Sequence, residues 1–410
     1  MRRGLASQGA GSSAPTDRAY DVVLFGATGF TGALTAEYLA KHAPAGTRLA
    51  LAGRSVAKLE ALRAHLSLHN LAWAELPLLH ADAANASSMR ALAESTRVAI
   101  SAVGPYLAHG EPLVAACAQA GTDYVDLTGE SEFVDRMYLR HQAQALETGA
   151  RLVHCCGFDS LPHDLGAYFT VKQLPEHVPI RLEAFVEVGL EGLAQARASF
   201  SAGTLASAIT IASRPYQLIA AASARRRIEP RPQGRGVRRL RAIPRRSLDA
   251  WLLPMPTIDP RVVRRSAAAL ARYGPDFSYR QYLAVDRLST AVGMLGGVAG
   301  VFLLSQLPPA RRLLGSRVAP HSGPTSEERG RRRFRVTFAG EGGGKRVLTE
   351  VAGGDPGYDE SSKMLAESAL CLAHDELSPT SGQLTAAVAM GEALIERLRS
   401  RGISFSVLEP

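Results

Sequence analysis

Three glycines near the start of the chain have the spacing of a phosphate-binding turn. They are Gly26, Gly29 and Gly32, and the apolar run Val22–Phe25, short enough to be a buried strand, leads into them. A helix-compatible stretch, residues 33–41, follows. In a strand–turn–helix unit the first glycine permits the tight turn, the second lets backbone approach a pyrophosphate, and the third lets the helix pack on the strand. The helix N-terminus adds free N–H groups and a positive dipole end. The pattern therefore predicts a dinucleotide site.

The residues that follow the second apolar segment indicate which dinucleotide binds. This segment, residues 48–52, ends in Gly53, Arg54 and Ser55, where such a unit reads the ribose about 20 residues after its turn. An NAD-specific site has an Asp or Glu there, and that carboxylate would repel a 2′-phosphate. Arg54, Ser55 and Lys58 supply cations and a hydroxyl instead, which favours NADP(H). In the alternative interpretation, Arg54 only begins a solvated helix face.

Two later strand ends complete the predicted cofactor site. Asp82 follows an apolar run at a position near the adenine, although it is equally placed to cap a helix that begins near Asn85. The small-residue strand end before Gly104 and Pro105 brings backbone to the nicotinamide side of the cofactor. The predicted cofactor-binding residues are Gly26, Thr28, Gly29, Phe30, Gly32, Arg54, Ser55, Lys58, Asp82, Val103, Gly104 and Pro105.

Polar residues after the last predicted strand are candidates to meet a substrate. Asp159, Ser160 and His163 lie in a loop that faces the same crevice as Gly104 and the pair Gly129–Glu130. Alternatively, Asp159 or Ser160 caps a helix with a proline in its first turn. The four cysteines show no metal-ligand spacing, so no metal site is predicted, and reduced cytosolic thiols are expected.

The elements that position these residues alternate between strands and helices. This order predicts an α/β fold with a doubly wound parallel sheet. The strand candidates are 22–25, 49–52, 76–79, 98–103, 124–127 and 151–156. Later in the chain, a hairpin (334–338 and 346–351), a helix (361–374), a final helix (384–399) and a terminal strand (404–408) are predicted.

Length and composition predict two domains. With 410 residues and 46% hydrophobic content, the chain can bury two cores. We expect a disordered lead-in (1–19), a dinucleotide-binding domain (20–164) and a second domain (165–378). The last residues, 379–410, are expected to pack back on the first domain as a helix and a strand. The lead-in has no apolar core of the kind that a secretory signal needs, which favours a cytoplasmic protein.

Two further segments bear on partners. Residues 225–246 contain ten arginines and one acid, which accounts for the whole net charge of +9. Prolines and glycines break the segment and no aromatic residue is interleaved, so an exposed loop is predicted rather than a nucleic-acid site. Its alternatives are contact with an anionic membrane or an acidic carrier protein. The uncharged segment 288–307 is diluted by glycines, which favours a buried or interfacial helix over a spanning one.

Several runs resemble the saccharopine-dehydrogenase-like oxidoreductases, and among them the bacterial trans-acting enoyl reductases. These runs are 101–106, 126–130, 157–162, 203–207, 353–358 and 363–367. The resemblance implies an NADP-binding Rossmann domain and a second α+β domain. It also implies reduction of a C=C bond in a polyketide or lipid chain carried by a separate synthase, and association with membranes or lipid surfaces in some members. For this chain, a peripheral position at the inner face of the plasma membrane is the alternative to a purely cytoplasmic one.

Such a reaction needs hydrogen-bond donors at the developing enolate oxygen and a proton source. Tyr106, Asp159 and Ser160 are the catalytic candidates, together with backbone N–H groups around Gly157. Three alternatives stay open. Tyr168 and Lys172 match the acid/base pair of short-chain dehydrogenases, the enzyme could reduce C=N or C=O bonds, or the chain could be a non-catalytic NADP sensor or scaffold.

Overall fold

The first layer of the fold is a parallel sheet. The computed structural model describes residues 18–68, 71–189, 210–247, 250–255, 257–305 and 323–408. Seven strands within these ranges form the sheet, in the order β14-β6-β5-β4-β1-β2-β3. Their bounds are β1 Tyr20–Phe25, β2 Leu49–Gly53, β3 Leu78–His80, β4 Thr96–Ser101, β5 Asp123–Asp126, β6 Arg151–Val153 and β14 Gly382–Leu384.

Helices cover both faces of this sheet, so the predicted doubly wound α/β arrangement is confirmed. Alternate residues of β1 join different cores: Val22 and Leu24 pack in one cluster, whereas Val23 and Phe25 pack in the other. The covering helices begin with α1 Phe30–His42, α2 Val56–Ser67, α3 Ala86–Ser95, α4 Tyr106–His109, α5 Glu111–Ala120, α6 Ser131–Thr148 and α7 Leu161–Lys172.

A second, mixed sheet lies beside the first layer. Its order is β15-β13-β12-β7-β11-β10-β9, and β8 pairs with β11. The strands are β7 Ile180–Val188, β8 Gly236–Arg239, β9 Arg245–Ser247, β10 Ala250–Pro254, β11 Asp276–Val285, β12 Phe334–Gly342, β13 Lys345–Gly353 and β15 Ser404–Leu408. The helices here are α8 Pro215–Ile228, α9 Asp259–Ala269, α10 Leu288–Ser305, α11 Ser326–Gly330, α12 Asp359–His374, α13 Ala386–Ala389 and α14 Gly391–Ser400.

The chain crosses between the layers more often than the sequence indicates. Helix α12 packs against α1, β1, β4 and β5 of the first layer, because its inward side chains, such as Met364 and Leu365, fill that core. Strand β15 then pairs with β13 of the second sheet, with Phe405 opposite Val351. The expectation that this terminal strand packs on the first domain therefore differs from the structure. The expected final helix (384–399) also differs from the structure: Leu384 belongs to β14, and Gly391, with a φ of +46°, separates α13 from α14.

The basic segment 225–246 is not a single exposed loop, as its composition suggests. Arg225 lies in the last turn of helix α8 and is only 2% exposed, because its guanidinium stacks on Tyr138 and pairs with acidic groups. The rest includes β8 and the start of β9. None of the helices in the described ranges has the length and apolar character that crossing a bilayer requires.

Three stretches named in the sequence analysis lie outside the described residues. They are residues 1–17 of the expected lead-in, the family-like run 203–207, and residues 306–307 at the end of the uncharged segment. The end of the lead-in is described and is ordered, unlike the expectation. Arg18 donates to the carbonyl oxygen of Ala120 at 2.6 Å and is 9% exposed.

Candidate functional site

The glycine turn has little room for side chains. Gly26 follows β1 with a φ of +85°, and a Cβ there would lie 2.6 Å from Cγ2 of Val103. A Cβ at Gly32 would lie 2.1 Å from the carbonyl oxygen of Gly26. The N–H of Gly29 donates to the same oxygen at 3.0 Å. The turn is thereby folded tightly onto the first turn of α1.

The N-terminus of α1 is free to receive an anion. Gly29 precedes the helix and has no side chain to cap it, and no acidic residue stands in the first turn. The ring of Phe30 packs edge-on against Tyr358 at 5.1 Å, so this residue offers the crevice its backbone. N–H groups without an intrahelical acceptor and the helix dipole therefore fit a pyrophosphate.

The predicted ribose position lies at the carboxyl end of β2. Arg54 and Lys58 are exposed there. Ser55 caps α2, since its hydroxyl oxygen accepts the N–H of Lys58 at 3.4 Å, and the hydroxyl proton stays available to a phosphate. Asp82 follows the adjacent β3. It does not cap α3, because Asn85 holds that position.

Val103, Gly104 and Pro105 lie where the strand order reverses. Strand β1 has β2 on one side and β4 on the other, and the N–H of Ala102 donates to the carbonyl oxygen of Phe25 at 2.9 Å. The crevice outside these carboxyl ends is the usual ligand site of an open α/β sheet. The structure thus brings the glycine turn and the predicted nicotinamide-side residues together.

Tyr106 does not face this crevice as a proton donor. It is 5% exposed, and its hydroxyl donates to the carbonyl oxygen of Ser101 at 2.9 Å. Burial raises the pKa of Tyr106 well above its usual value. The expectation of a catalytic role is therefore corrected: Tyr106 is a core residue that supports the loop after β4.

Glu130 holds the same loop from the other side, a function that the sequence did not show. Its carboxylate accepts the N–H groups of Tyr106 at 3.0 Å and Leu107 at 2.8 Å. It is fully buried. A carboxylate at the start of α4 stabilises the first N–H groups of that short helix, which have no acceptor within the helix. The sequence distance of 24 residues hides this contact.

A buried aspartate–histidine pair supports the loops after β5 and β6. Oδ2 of Asp126 lies 2.7 Å from Nδ1 of His154. Oδ1 of Asp126 accepts the N–H groups of Thr128 and Cys155, both at 3.0 Å. One carboxylate therefore ties together the two loops that carry Gly129 and Asp159.

The predicted substrate loop meets an aspartate from far along the chain. Ser160, His163 and Asp259 are each 1% exposed. The hydroxyl of Ser160 lies 3.5 Å from Oδ1 of Asp259, and Nε2 of His163 lies 3.8 Å from its Oδ2. Gln281 and Thr257 donate to Oδ2 at 2.6 and 2.8 Å. The side chain of Ser160 does not cap α7.

Asp159 is exposed, unlike its buried neighbours Gly157 and Ser160. A Cβ on Gly129 would lie 3.2 Å from its Oδ2, which places the carboxyl beside the end of β5. Surrounding protein atoms, and secondarily the negative charge of Asp259, raise the pKa of Asp159 to about 6. Burial lowers the pKa of His163, so its ring is mainly neutral at pH 7. Asp159 can therefore exchange a proton near neutral pH.

Asp259 is the main residue that sequence reasoning missed. Its position before Pro260 is typical of a helix start, and it does begin α9. Nothing in that local pattern shows that α9 is directed at a loop 99 residues earlier.

The alternative pair, Tyr168 and Lys172, lies away from the crevice. Both are near the far end of α7, and Nζ of Lys172 pairs with Glu392 at 2.5 Å. Tyr168 packs beside Gly391. The geometry therefore gives no support to a short-chain-dehydrogenase site.

Comparisons with known proteins support an NADP-binding domain in the first layer. Residues 22–153 match the family model of the saccharopine dehydrogenase NADP-binding domain. A Mycobacterium tuberculosis protein, provisionally named a trans-acting enoyl reductase, is 39% identical over 95% of this chain and 97% of its own. The trans-acting enoyl reductase of Mycobacterium ulcerans is 35% identical over 95% of this chain and 98% of its own.

A solved structure shows the same fold at low identity. Saccharopine dehydrogenase (L-Glu forming) of Saccharomyces cerevisiae has a TM-score of 0.55 and 11% identity, over 95% of this chain and all of that one. The protein is an NADP-dependent oxidoreductase. It belongs to the saccharopine-dehydrogenase-like family, in the group that includes the mycobacterial trans-acting enoyl reductases.

Proposed function

We propose that this enzyme reduces a C=C bond conjugated to a thioester carbonyl, in a polyketide or lipid acyl chain that a separate synthase or carrier delivers. The names of the relatives support this reaction. The observation that carries it is the placement of Asp159, whose carboxyl stands at the crevice beside the end of β5 and near the buried Asp259.

The reaction divides the work between cofactor and protein. Bound NADPH supplies a hydride. The substrate gains this hydride at the β-carbon and a proton at the α-carbon, so the double bond becomes a single bond. The protein must hold the carbonyl, stabilise the negative charge on its oxygen and deliver the proton.

Asp159 is the proposed proton donor. With a pKa of about 6, a useful fraction of its carboxyl is protonated near neutral pH. Its own backbone N–H has no acceptor among the described residues and is a candidate donor to the thioester oxygen. Ser160 and Asp259 are positioning residues, because their contact fixes the loop that carries both groups.

The loop is held from two further sides. The N–H of Phe158 donates to the hydroxyl oxygen of Ser361 at 3.1 Å, and that hydroxyl donates to the carbonyl oxygen of Pro356 at 2.7 Å. Residues of α12 and of the segment before it therefore fix the start of the loop. Such preorganisation is what a proton donor needs to act in one geometry.

The test is turnover by the full chain with NADPH and a panel of enoyl thioesters, imines and ketones. Many turnovers on the enoyl thioesters, with a saturated thioester as product, would support the proposal. Turnover only on imines or ketones would contradict it. Saturable NADPH binding without turnover on any of them would identify a sensor or scaffold instead.

A matched pair of variants tests the proton donor. Asp159→Asn removes the proton but keeps the shape, and we expect kcat to fall by about 100-fold or more with unchanged NADPH affinity. Asp286→Asn changes an exposed carboxylate after β11 and should leave kcat unchanged. Equal activity in the two variants would exclude Asp159 as the donor.

We also propose that helix α10 contacts a lipid surface from one side, near the source of an acyl substrate. Val292 and Leu303, eleven residues apart, fall on the same face of the helix and are 61% and 66% exposed. Leu288 is also exposed on this helix. An exposed apolar helix face supports peripheral attachment.

A further inference from the structure

We infer that a cavity between α6, α8 and α9 is a second binding site, which takes an organic phosphate and is separate from the dinucleotide crevice. The cavity, here called the arginine cavity, has a volume of about 870 Å³. Strand β8 and the end of β14 complete its wall. This inference concerns binding and does not depend on the reaction proposed above.

Three arginines of the cavity share two carboxylates. Arg225 lies 3.4 Å from Asp135 and 2.6 Å from Glu229. Arg261 lies 3.4 Å from Asp135, while Arg265 contacts both carboxylates. Asp135 is buried to 1% exposure, and these pairs fix the inner wall of the cavity. Three cations against two anions already leave this wall positive.

Four more arginines line the cavity, and none of them has a carboxylate within 4.0 Å among the described residues. They are Arg226, Arg231, Arg239 and Arg264. The lining therefore carries seven guanidinium groups and only two carboxylates. A concave wall with this excess focuses a positive potential and attracts anions.

Arg264 lies among several of these cations. Burial and the nearby cations of Arg239, Arg261, Arg265 and Arg226 lower the pKa of Arg264 to about 10. It still carries its charge at pH 7, so like charges are held together at a cost. A bound anion would relieve this repulsion and form charge-assisted hydrogen bonds with the planar guanidinium groups.

The cavity is too large and too apolar for an inorganic ion alone. Val134, Ile219, Val262 and Val388 contribute apolar wall beside the arginines. A volume of this size is typical of sites for organic ligands. The combination suits a ligand in which a phosphate group is attached to an uncharged chain.

This site is distinct from the crevice but adjacent to its polar cluster. The cavity lining contains no residue of the glycine turn, of the ribose position or of the segment 103–105. Helix α9 connects the two sites, since Asp259 begins it and three arginines of the cavity, Arg261, Arg264 and Arg265, follow within two turns. A ligand in the cavity would thus contact the helix that positions the substrate loop.

The experiment measures binding by calorimetry on the full chain, with NADPH present at saturation to block the crevice. Coenzyme A is the probe, because it joins phosphates to an uncharged chain. Pantetheine, which lacks the phosphates, and inorganic phosphate are the comparison ligands. Coenzyme A should bind at one site, more weakly as salt rises, and at least about tenfold more tightly than either comparison ligand.

Variants locate the site. Arg264→Gln should weaken coenzyme A binding by about tenfold, and adding Arg239→Gln should weaken it further. The matched control is Arg238→Gln, the neighbour of Arg239 on β8, which is 72% exposed, pairs with Asp276 and does not line the cavity. The control should bind as the unmodified chain does. Unfolding curves establish that each variant is folded. If the double variant does not fold, the comparison of Arg264→Gln with Arg238→Gln is enough to test the site.

Four results would overturn the inference. The first is no binding of coenzyme A, and the second is binding only by displacement of NADPH from the crevice. The third is inorganic phosphate that binds as tightly as coenzyme A, which would leave a simple anion site. The fourth is equal binding of coenzyme A by Arg264→Gln and Arg238→Gln. None of these readouts involves turnover, so failure of the proposed reaction would not be mistaken for failure of this site.

Discussion

Replacing Gly32 and Gly29 separately by alanine should have two different effects. A Cβ at Gly32 would lie 2.1 Å from the carbonyl oxygen of Gly26 and 2.9 Å from its carbonyl carbon. Atoms do not approach so closely, so the first turn of α1 must move by about 1 Å. Such overpacking typically costs about 1–3 kcal/mol in the free energy of unfolding.

Gly29 is the matched comparison, because its methyl group would meet little protein. Its φ is −76°, which any residue adopts, and a Cβ would lie 3.4 Å from the carbonyl oxygen of Gly26. Stability should therefore change by less than about 1 kcal/mol. The methyl group would instead occupy the side from which a pyrophosphate approaches the helix N-terminus.

The assays are urea denaturation and fluorescence titration with NADPH. Gly32→Ala should lose both stability and affinity, since the displaced helix carries the N–H groups with it. Gly29→Ala should keep its stability and lose affinity by about tenfold or more, equivalent to one charge-assisted hydrogen bond. Normal NADPH affinity in Gly29→Ala, or unchanged stability in Gly32→Ala, would refute the described turn.

Four further predictions concern the cofactor, the proton donor and the surface. Arg54→Glu should weaken NADPH binding by about 10–100-fold and leave NADH binding nearly unchanged, because only NADPH has the 2′-phosphate. Equal losses of NADPH and NADH affinity in calorimetry would contradict this. kcat should fall as pH rises through about 6, since Asp159 must be protonated to donate, and this pH dependence should vanish in Asp159→Asn. If the unmodified enzyme and Asp159→Asn have the same pH profile of kcat, the group that titrates is not Asp159. Tyr168→Phe should keep most activity in a steady-state assay, whereas a short-chain dehydrogenase would lose nearly all of it. Changing Val292 and Leu303 together to aspartate should reduce co-sedimentation with anionic vesicles, and unchanged sedimentation would exclude α10 as the contact.

Local sequence patterns predicted the first layer of the fold because its determinants are local. The apolar strand β1, the three glycines and the helix after them form one continuous unit, and each residue type is required by its neighbours. The same holds for Arg54, which follows β2 directly. Patterns of this kind indicate the cofactor without any knowledge of tertiary contacts.

The substrate side of the site depends on contacts that no local pattern reveals. The sequence suggests Tyr106 as a source of a reactive hydroxyl. In the folded protein, however, this hydroxyl donates to the carbonyl oxygen of Ser101. Asp259 looks like an ordinary helix start until α9 places it beside Ser160. Likewise, β15 follows directly after α14 but pairs with β13, because Phe405 completes the core at the edge of the second sheet.

The most direct test of the account is the position of an isotope in the product. NADPH deuterated at both C4 positions is incubated with the full chain and an enoyl thioester, and the product is analysed by NMR and mass spectrometry. The account predicts one deuterium at the β-carbon of a saturated thioester and a solvent-derived proton at the α-carbon. Deuterium at a carbonyl-derived carbon, or no transfer to the thioester at all, would contradict it.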